Sequence, residues 1–133
     1  MKMPSTVHRA QSTVRKMGFK FEKLEVWQKS LDLGFLIHEL TRDFPREEMY
    51  VLTSQIKRAA DSIALNIAEG STGQTNSEFK LFLGYAIRSA VEVVSCLYIA
   101  RRRKLIKEND FDNLYCKAEG IAKMLQALRK SFV

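Results

Sequence analysis

Apolar residues return every three or four positions along most of the chain, and four such runs predict four helices. The clearest run is QIKRAADSIALNIAEG, residues 55–70, where Leu52, Ile56, Ala59, Ala60, Ile63, Ile67 and Gly70 fall on one stripe. Asn66 and Glu69 lie close to that stripe, so they need hydrogen-bond partners if packing takes them out of water. The helix is expected to run from about Arg46 to Glu69. Pro45 suits its first turn, Glu47 and Glu48 suit the positive end of its dipole, and Gly70 is placed to close it in a left-handed cap.

The preceding run begins near Glu22. Leu24, Trp27, Leu31 and Phe35 form one apolar line and Val26, Leu33, Ile37, Leu40 and Phe44 another, which predicts a first helix touching more than one neighbour and stopping before Pro45. Within the connection STGQTNS, Thr75 has capping-box spacing to Glu78 and marks the start of a third helix. Its core stripe is Phe79, Phe82, Leu83, Ala86, Ala90, Val93, Val94, Leu97 and Ala100, with Leu81, Tyr85, Ile87, Val91, Tyr98 and Ile99 on other faces. A helix apolar almost all round implies either a second buried surface made by self-association or a deep groove filled by helices of the same chain. Asp110 and Asp112 mark the acidic first turn of a fourth helix, whose stripe runs from Phe111 to Phe132.

Four helices with short connections predict an all-α fold, an up-down-up-down antiparallel four-helix bundle over residues 21–133. Residues 1–20 lack sustained periodicity and read as a flexible basic arm. A chain of 133 residues has room for one domain with a real core. Cys96 and Cys116 make no disulfide framework and read as thiols, with Cys116 turned outward and Cys96 near the core. The pattern contains no apolar run of membrane-span length, so the expectation is a cytoplasmic chain without membrane association.

Charge changes the picture at the ends of the rod. The net charge is +7, and five positive charges with no negative one fall in the first twenty residues, leaving +2 on the rest. Up-down topology places the first and third connections at one pole, which gathers Arg42, Arg46, Arg101, Arg102, Arg103, Lys104 and Lys107 among several acidic residues. With Lys57 and Arg88 on the helices, these are the candidate contacts to the phosphates of RNA or DNA, tolerant of sequence because no base-reading motif accompanies them. Capping electrostatics account for part of the run 101–104, and Arg58 and Arg88 read equally as internal ion-pair partners.

Chemistry is otherwise sparse. A di-iron bundle needs Glu-x-x-His pairs, which are absent, and His38 is the only helical histidine. Two separated cysteines are too few for zinc, and no Walker loop, dinucleotide fingerprint or nucleophile elbow is present. The expectation is a non-enzymatic protein without metal or cofactor.

FEKLEVWQ in the first helix, FPREEMYVLTSQIKRAADSIALNIAEG through the second and EFKLFLGYAIRSAVEV in the third resemble the four-helix-bundle proteins encoded in intervening sequences of bacterial 23S ribosomal RNA genes. The accessory variability determinants of diversity-generating retroelements are similar to that family. The resemblance covers about residues 21–132. It implies a ring, commonly a homopentamer, without catalytic activity; its retroelement branch implies a basic barrel that binds nucleic acid and the element's reverse transcriptase. Arg58, Asn66 and Glu69 match the family's pattern as a structural polar network. Arg88 and Lys104 depart from it, since glycine is usual at both places, and the second departure bears on the geometry of the third turn. The leading expectation is a ring-forming, nucleic-acid-binding accessory of a reverse transcriptase. The alternative is a homo-oligomeric protein-interaction scaffold that does not bind nucleic acid.

Overall fold

A computed structural model describes residues 18–132; residues 1–17, and with them most of the expected basic arm, lie outside the described residues. Among the described residues the chain is all-α. Four long helices, α1 (Glu25–Thr41), α2 (Ser54–Ser71), α3 (Asn76–Arg102) and α4 (Glu108–Lys130), follow the four apolar runs. Their order and short connections make the expected antiparallel bundle.

Among the described residues, structure precedes the helix that the apolar pattern suggests. A 3-10 turn at Lys20–Lys23 precedes α1, and the Glu22 carboxylate accepts from the Phe19 amide at 3.0 Å. Phe21 packs edge-on against Trp27 with ring centroids 4.8 Å apart. Within α1 the buried positions are Val26, Ser30, Leu33, Gly34, Ile37 and Thr41, a single stripe. The line Leu24, Trp27, Leu31 and Phe35 is covered only in its first half: Leu24 and Trp27 pack against the core, whereas Leu31 is 46% and Phe35 64% exposed. Ser30 is tolerated in the core because its hydroxyl donates to the Val26 carbonyl at 2.8 Å.

The helix expected from Arg46 onward is not one regular helix. A 3-10 turn at Arg46–Glu48 and a π turn at Met49–Thr53 lead into α2. This irregular entry buries Phe44 and Leu52 while leaving Tyr50 and Val51 outside, at 88% and 57% exposure. The Thr53 hydroxyl is left buried without a partner.

The most extensive packing is between α2 and α3, and small buried residues in both allow close approach: Ala59, Ala60 and Gly70 in α2, Ala86 and Ala90 in α3. The close approach explains a second difference from the sequence reading. Gly70 is not a left-handed cap; among the described residues no glycine has positive φ. It lies inside α2, where an added Cβ would stand 2.5 Å from the Cβ of Phe82. The helix instead finishes through hydroxyls, Ser71 donating to the Ala68 carbonyl and Thr72 to the Glu69 carbonyl, each at 2.9 Å.

The start of α3 follows the capping-box reading in one half. Thr75 Oγ1 accepts from the Glu78 amide at 3.1 Å, whereas the Glu78 carboxylate reaches back to the Gln74 amide rather than to that of Thr75. At the other end the chain reverses at Lys104, whose φ of 59° is left-handed. The Leu105 amide reaches the Ala100 carbonyl at 2.9 Å and the Lys104 amide the Arg101 carbonyl at 2.9 Å, so the last carbonyls are satisfied in a Schellman motif. The turn geometry that glycine would favour is therefore kept with lysine in its place.

By length and composition α3 is also long and apolar enough to cross a membrane, contrary to the sequence expectation that no segment approaches this. In the fold it packs between α2 and α4. Both cysteines are free, Cys96 buried and Cys116 exposed, as the helical register predicts.

Candidate functional site

The predicted basic pole forms, because the Arg46–Glu48 turn meets the end of α3, but much of its charge is used internally. The Arg103 guanidinium donates to both oxygens of Glu48, at 3.0 and 3.2 Å, and the Glu48 side chain is only 15% exposed. Arg101 donates to Glu108 at 3.0 Å. Its guanidinium carbon also sits 3.9 Å from the centroid of the Phe111 ring and 5.1 Å from that of Tyr98. Arg101 and Arg103 thus tie α3 to α4 and to the α1–α2 connection. Arg42 lies 3.6 Å from Glu39, one turn back on its own helix, an exposed pair of small energetic weight.

What remains at this pole is Arg46, Arg102, Lys104 and Lys107, all exposed and, among the described residues, without an ion-pair partner. Arg102 and Lys104 border a shallow depression that also takes in Ser95, Tyr98 and Ile99. Tyr98 is 47% exposed, and its ring stands edge-on to Phe111 at 5.1 Å. An exposed aromatic ring beside unpaired cations is the combination that single-stranded nucleic acid uses, stacking bases on the ring and phosphates on the cations.

The other predicted cations lie elsewhere. Arg88 is exposed midway along α3, on the same outward stripe as Leu81, Tyr85, Val91 and Ile99. Lys57 lines the α1–α2 groove with Arg42. Folding therefore distributes the nine predicted contacts over at least three places rather than one patch.

The predicted polar network is also differently composed. Asn66 Nδ2 donates to the Ser62 carbonyl at 2.9 Å and to its hydroxyl at 3.0 Å, and the Ser62 and Ser89 hydroxyls meet at 2.8 Å across the α2–α3 interface. Arg58 and Glu69 are exposed and take no part in it. The network across this interface is therefore Ser62, Asn66 and Ser89. Further along the same interface Gln55 donates to Glu92.

Nothing in this arrangement recommends a nucleophile. Burial pushes the Cys96 thiol up to about 11, with the nearby Glu92 charge adding to the shift, so it stays protonated at neutral pH. Among the described residues no group of three or more His, Cys, Asp and Glu side chains could hold a metal ion. One contact was missed by the sequence reading altogether: His38 Nε2 lies 3.1 Å from Asp61 Oδ2, bridging α1 and α2. Opposite Asp61 stands Gly34, where an added Cβ would come within 3.3 Å of the carboxylate. That pairing joins residues 23 positions apart and leaves no local sequence signal.

Comparison with known proteins agrees with the fold. A crystal structure at 1.70 Å of a protein with unknown function from the S23 ribosomal protein family of Bacteroides thetaiotaomicron VPI-5482 is similar, with 27% identity and a TM-score of 0.74. The alignment covers 79% of this chain and 95% of that one. A search of curated proteins finds no match. The profile of the 23S rRNA-intervening sequence protein matches residues 22–127, nearly the whole described bundle. With that span matched, the chain belongs to the 23S rRNA-intervening sequence protein family.

Proposed function

We propose that this protein is a non-enzymatic, self-assembling bundle that binds nucleic acid without sequence preference. The observation that carries the reading is the outer stripe of α3. Leu81, Tyr85, Val91, Tyr98 and Ile99 are all exposed, at 39–60%, and the stripe runs at its C-terminal end into Arg102 and Lys104, which have no internal partner. Five exposed large apolar side chains on one helix, interrupted only by Arg88 and Ser95, are unusual on a monomer and are covered most economically by another copy. Cations at the end of the stripe stay outside such a contact, free to meet phosphates. Cyclic assembly, with five copies as the family resemblance implies, would repeat the cationic pole around a ring. Repetition would then turn weak phosphate contacts into useful affinity. A reverse transcriptase enters only through the resemblance to the retroelement proteins, and co-purification of the two would bring it in.

The test begins with mass in solution, followed by salt titration of binding to a fluorescent single-stranded RNA. The full chain is expected to be an oligomer, and Val91→Glu to dissociate it. Changing Arg102, Lys104 and Lys107 to alanine is expected to leave the mass unchanged. It should weaken binding and flatten the dependence of log affinity on log salt by about 2, at roughly 0.7 for each phosphate that is no longer neutralised. Absence of salt-dependent RNA binding by a nuclease-treated oligomer would overturn the nucleic-acid reading. The scaffold reading would then stand, favoured by the observation that Arg101 and Arg103 already serve the bundle itself. A monomeric full chain would overturn the assembly.

A further inference from the structure

We propose that the hollow between the second half of α1 and the entry of α2 is an anion site that takes a single phosphate group. It is separate from the α3 stripe and does not rest on the reading given above. The hollow measures about 320 Å³, and Tyr50, Thr53, Ser54, Lys57 and Arg58 line it together with the His38–Asp61 pair. Lys57 and Arg58 are consecutive cations without an ion-pair partner among the described residues. The one carboxylate in the lining, Asp61, is held by His38 at 3.1 Å. Its charge is therefore already directed at another donor.

The donor set decides the class of ligand. An ammonium, a guanidinium and the three hydroxyls of Tyr50, Thr53 and Ser54 line it, more donors than the two oxygens of a carboxylate use well and suited to the three or four oxygens of a phosphate. A volume of about 320 Å³ accommodates that group with some of its water or with an attached sugar. The backbone entering α2 supplies a second, independent sign. The π turn at Met49–Thr53 leaves the Thr53 hydroxyl buried and unpartnered, and such turns recur at functional sites. An unsatisfied buried hydroxyl is costly, and rotation toward a bound oxygen would satisfy it. The charged groups that line the hollow are Lys57, Arg58 and Asp61 from α2, with His38 from α1; Glu39 and Arg42, near each other at 3.6 Å, line the adjoining α1–α2 groove instead.

Only two histidines are present, so the ring protons of His38 form a clean proton-NMR reporter once His8→Gln removes the other. The His8→Gln chain is titrated with inorganic phosphate against chloride at matched ionic strength and pH 6.5, and separately with a short single-stranded RNA. Saturable movement of the His38 signals by phosphate supports the site, with free phosphate or a terminal monoester as the source. Movement by RNA alone supports it with a backbone diester as the source. In either case Lys57→Ala/Arg58→Ala should weaken the response about tenfold while far-ultraviolet circular dichroism stays unchanged. No saturable movement with either probe, or equal movement in the double variant, would overturn the proposal. Should that variant lose helicity, Lys57→Gln and Arg58→Gln taken singly serve in its place, with the same two readings of the result.

Discussion

α2 and α3 both end at a connection in the bundle, yet the residues at the two ends have exchanged the roles that their chemistry suggests. At the end of α2 stands Gly70, the residue type that tolerates a left-handed cap, but its backbone is right-handed and the helix continues to Ser71. At the end of α3 stands Lys104, with a Cβ that disfavours positive φ, and its φ is 59°. The difference lies in what each position faces. Gly70 is glycine because Phe79 and Phe82 of α3 press against it, so its lack of a side chain serves packing. Lys104 is exposed, nothing packs where its side chain projects, and the Schellman bonds around it hold the backbone in place. A glycine near a helix end therefore reports either a conformation or a close approach, and spacing alone does not tell which.

The largest expected effect breaks the comparison at Gly70. Gly70→Ala places a methyl 2.5 Å from the Cβ of Phe82, an atom fixed to the backbone that no rotamer change can move away. α2 and α3 must then separate locally, along the most extensive interface of the bundle. Overpacking of this kind costs about 1–3 kcal/mol, and the better helix propensity of alanine returns about 1 of that at most. A net loss of about 1–2 kcal/mol is expected in urea unfolding, with an unchanged denaturant slope. A gain would mean that Gly70 is a conformational glycine after all.

Lys104 sharpens the same comparison from the other side. Lys104→Gly removes the left-handed penalty of a residue with a Cβ and is expected to stabilise the bundle by about 1 kcal/mol. Lys104→Ala keeps that penalty and removes the charge, so its stability should match the parent within experimental error. If alanine stabilises as much as glycine, repulsion within the run Arg101–Lys104 is the cost being relieved, and conformation is not.

These two positions also mark how far the sequence was legible. The four helices were legible because burial imposes a period of 3.6, and Ile56, Ile63, Ile67, Leu83, Val93, Leu97, Ile121 and Leu125 all fall inside as that period requires. The cap at Thr75 was legible because its bonds span three residues. Contacts between distant residues were not. Glu48 and Arg103 lie 55 positions apart, and nothing local in the run Arg101–Lys104 separates the cations held by the fold from those left free. The place of Asn66 beside the apolar stripe does signal a need for partners, but its partners, Ser62 and through it Ser89, are small residues that carry little signal in a pattern of charge and apolarity. The hollow at His38 depends on a π turn, which follows from the burial of Phe44 and Leu52 on either side of an irregular entry and not from any periodic signal.

Gly120 supplies the smallest expected effect and the reference against which the other two positions are judged. It sits in the interior of α4, has no positive φ, and an added Cβ there would meet nothing within 4 Å. Neither reason that accounts for a glycine elsewhere in the bundle operates at this position. Gly120→Ala should therefore show only the backbone term, a gain of about 0.5 kcal/mol from restricting the unfolded chain and favouring the helix. The measurement is informative because Gly120 also lines a shallow groove with Lys29, Cys116 and Met124 on the α1–α4 side. A gain measured at low and at high protein concentration alike means that this face stays open in the assembled protein. A loss that appears only at concentrations where copies associate means that the methyl intrudes on a neighbour, and the close approach that explains Gly70 within one chain would then explain Gly120 between two.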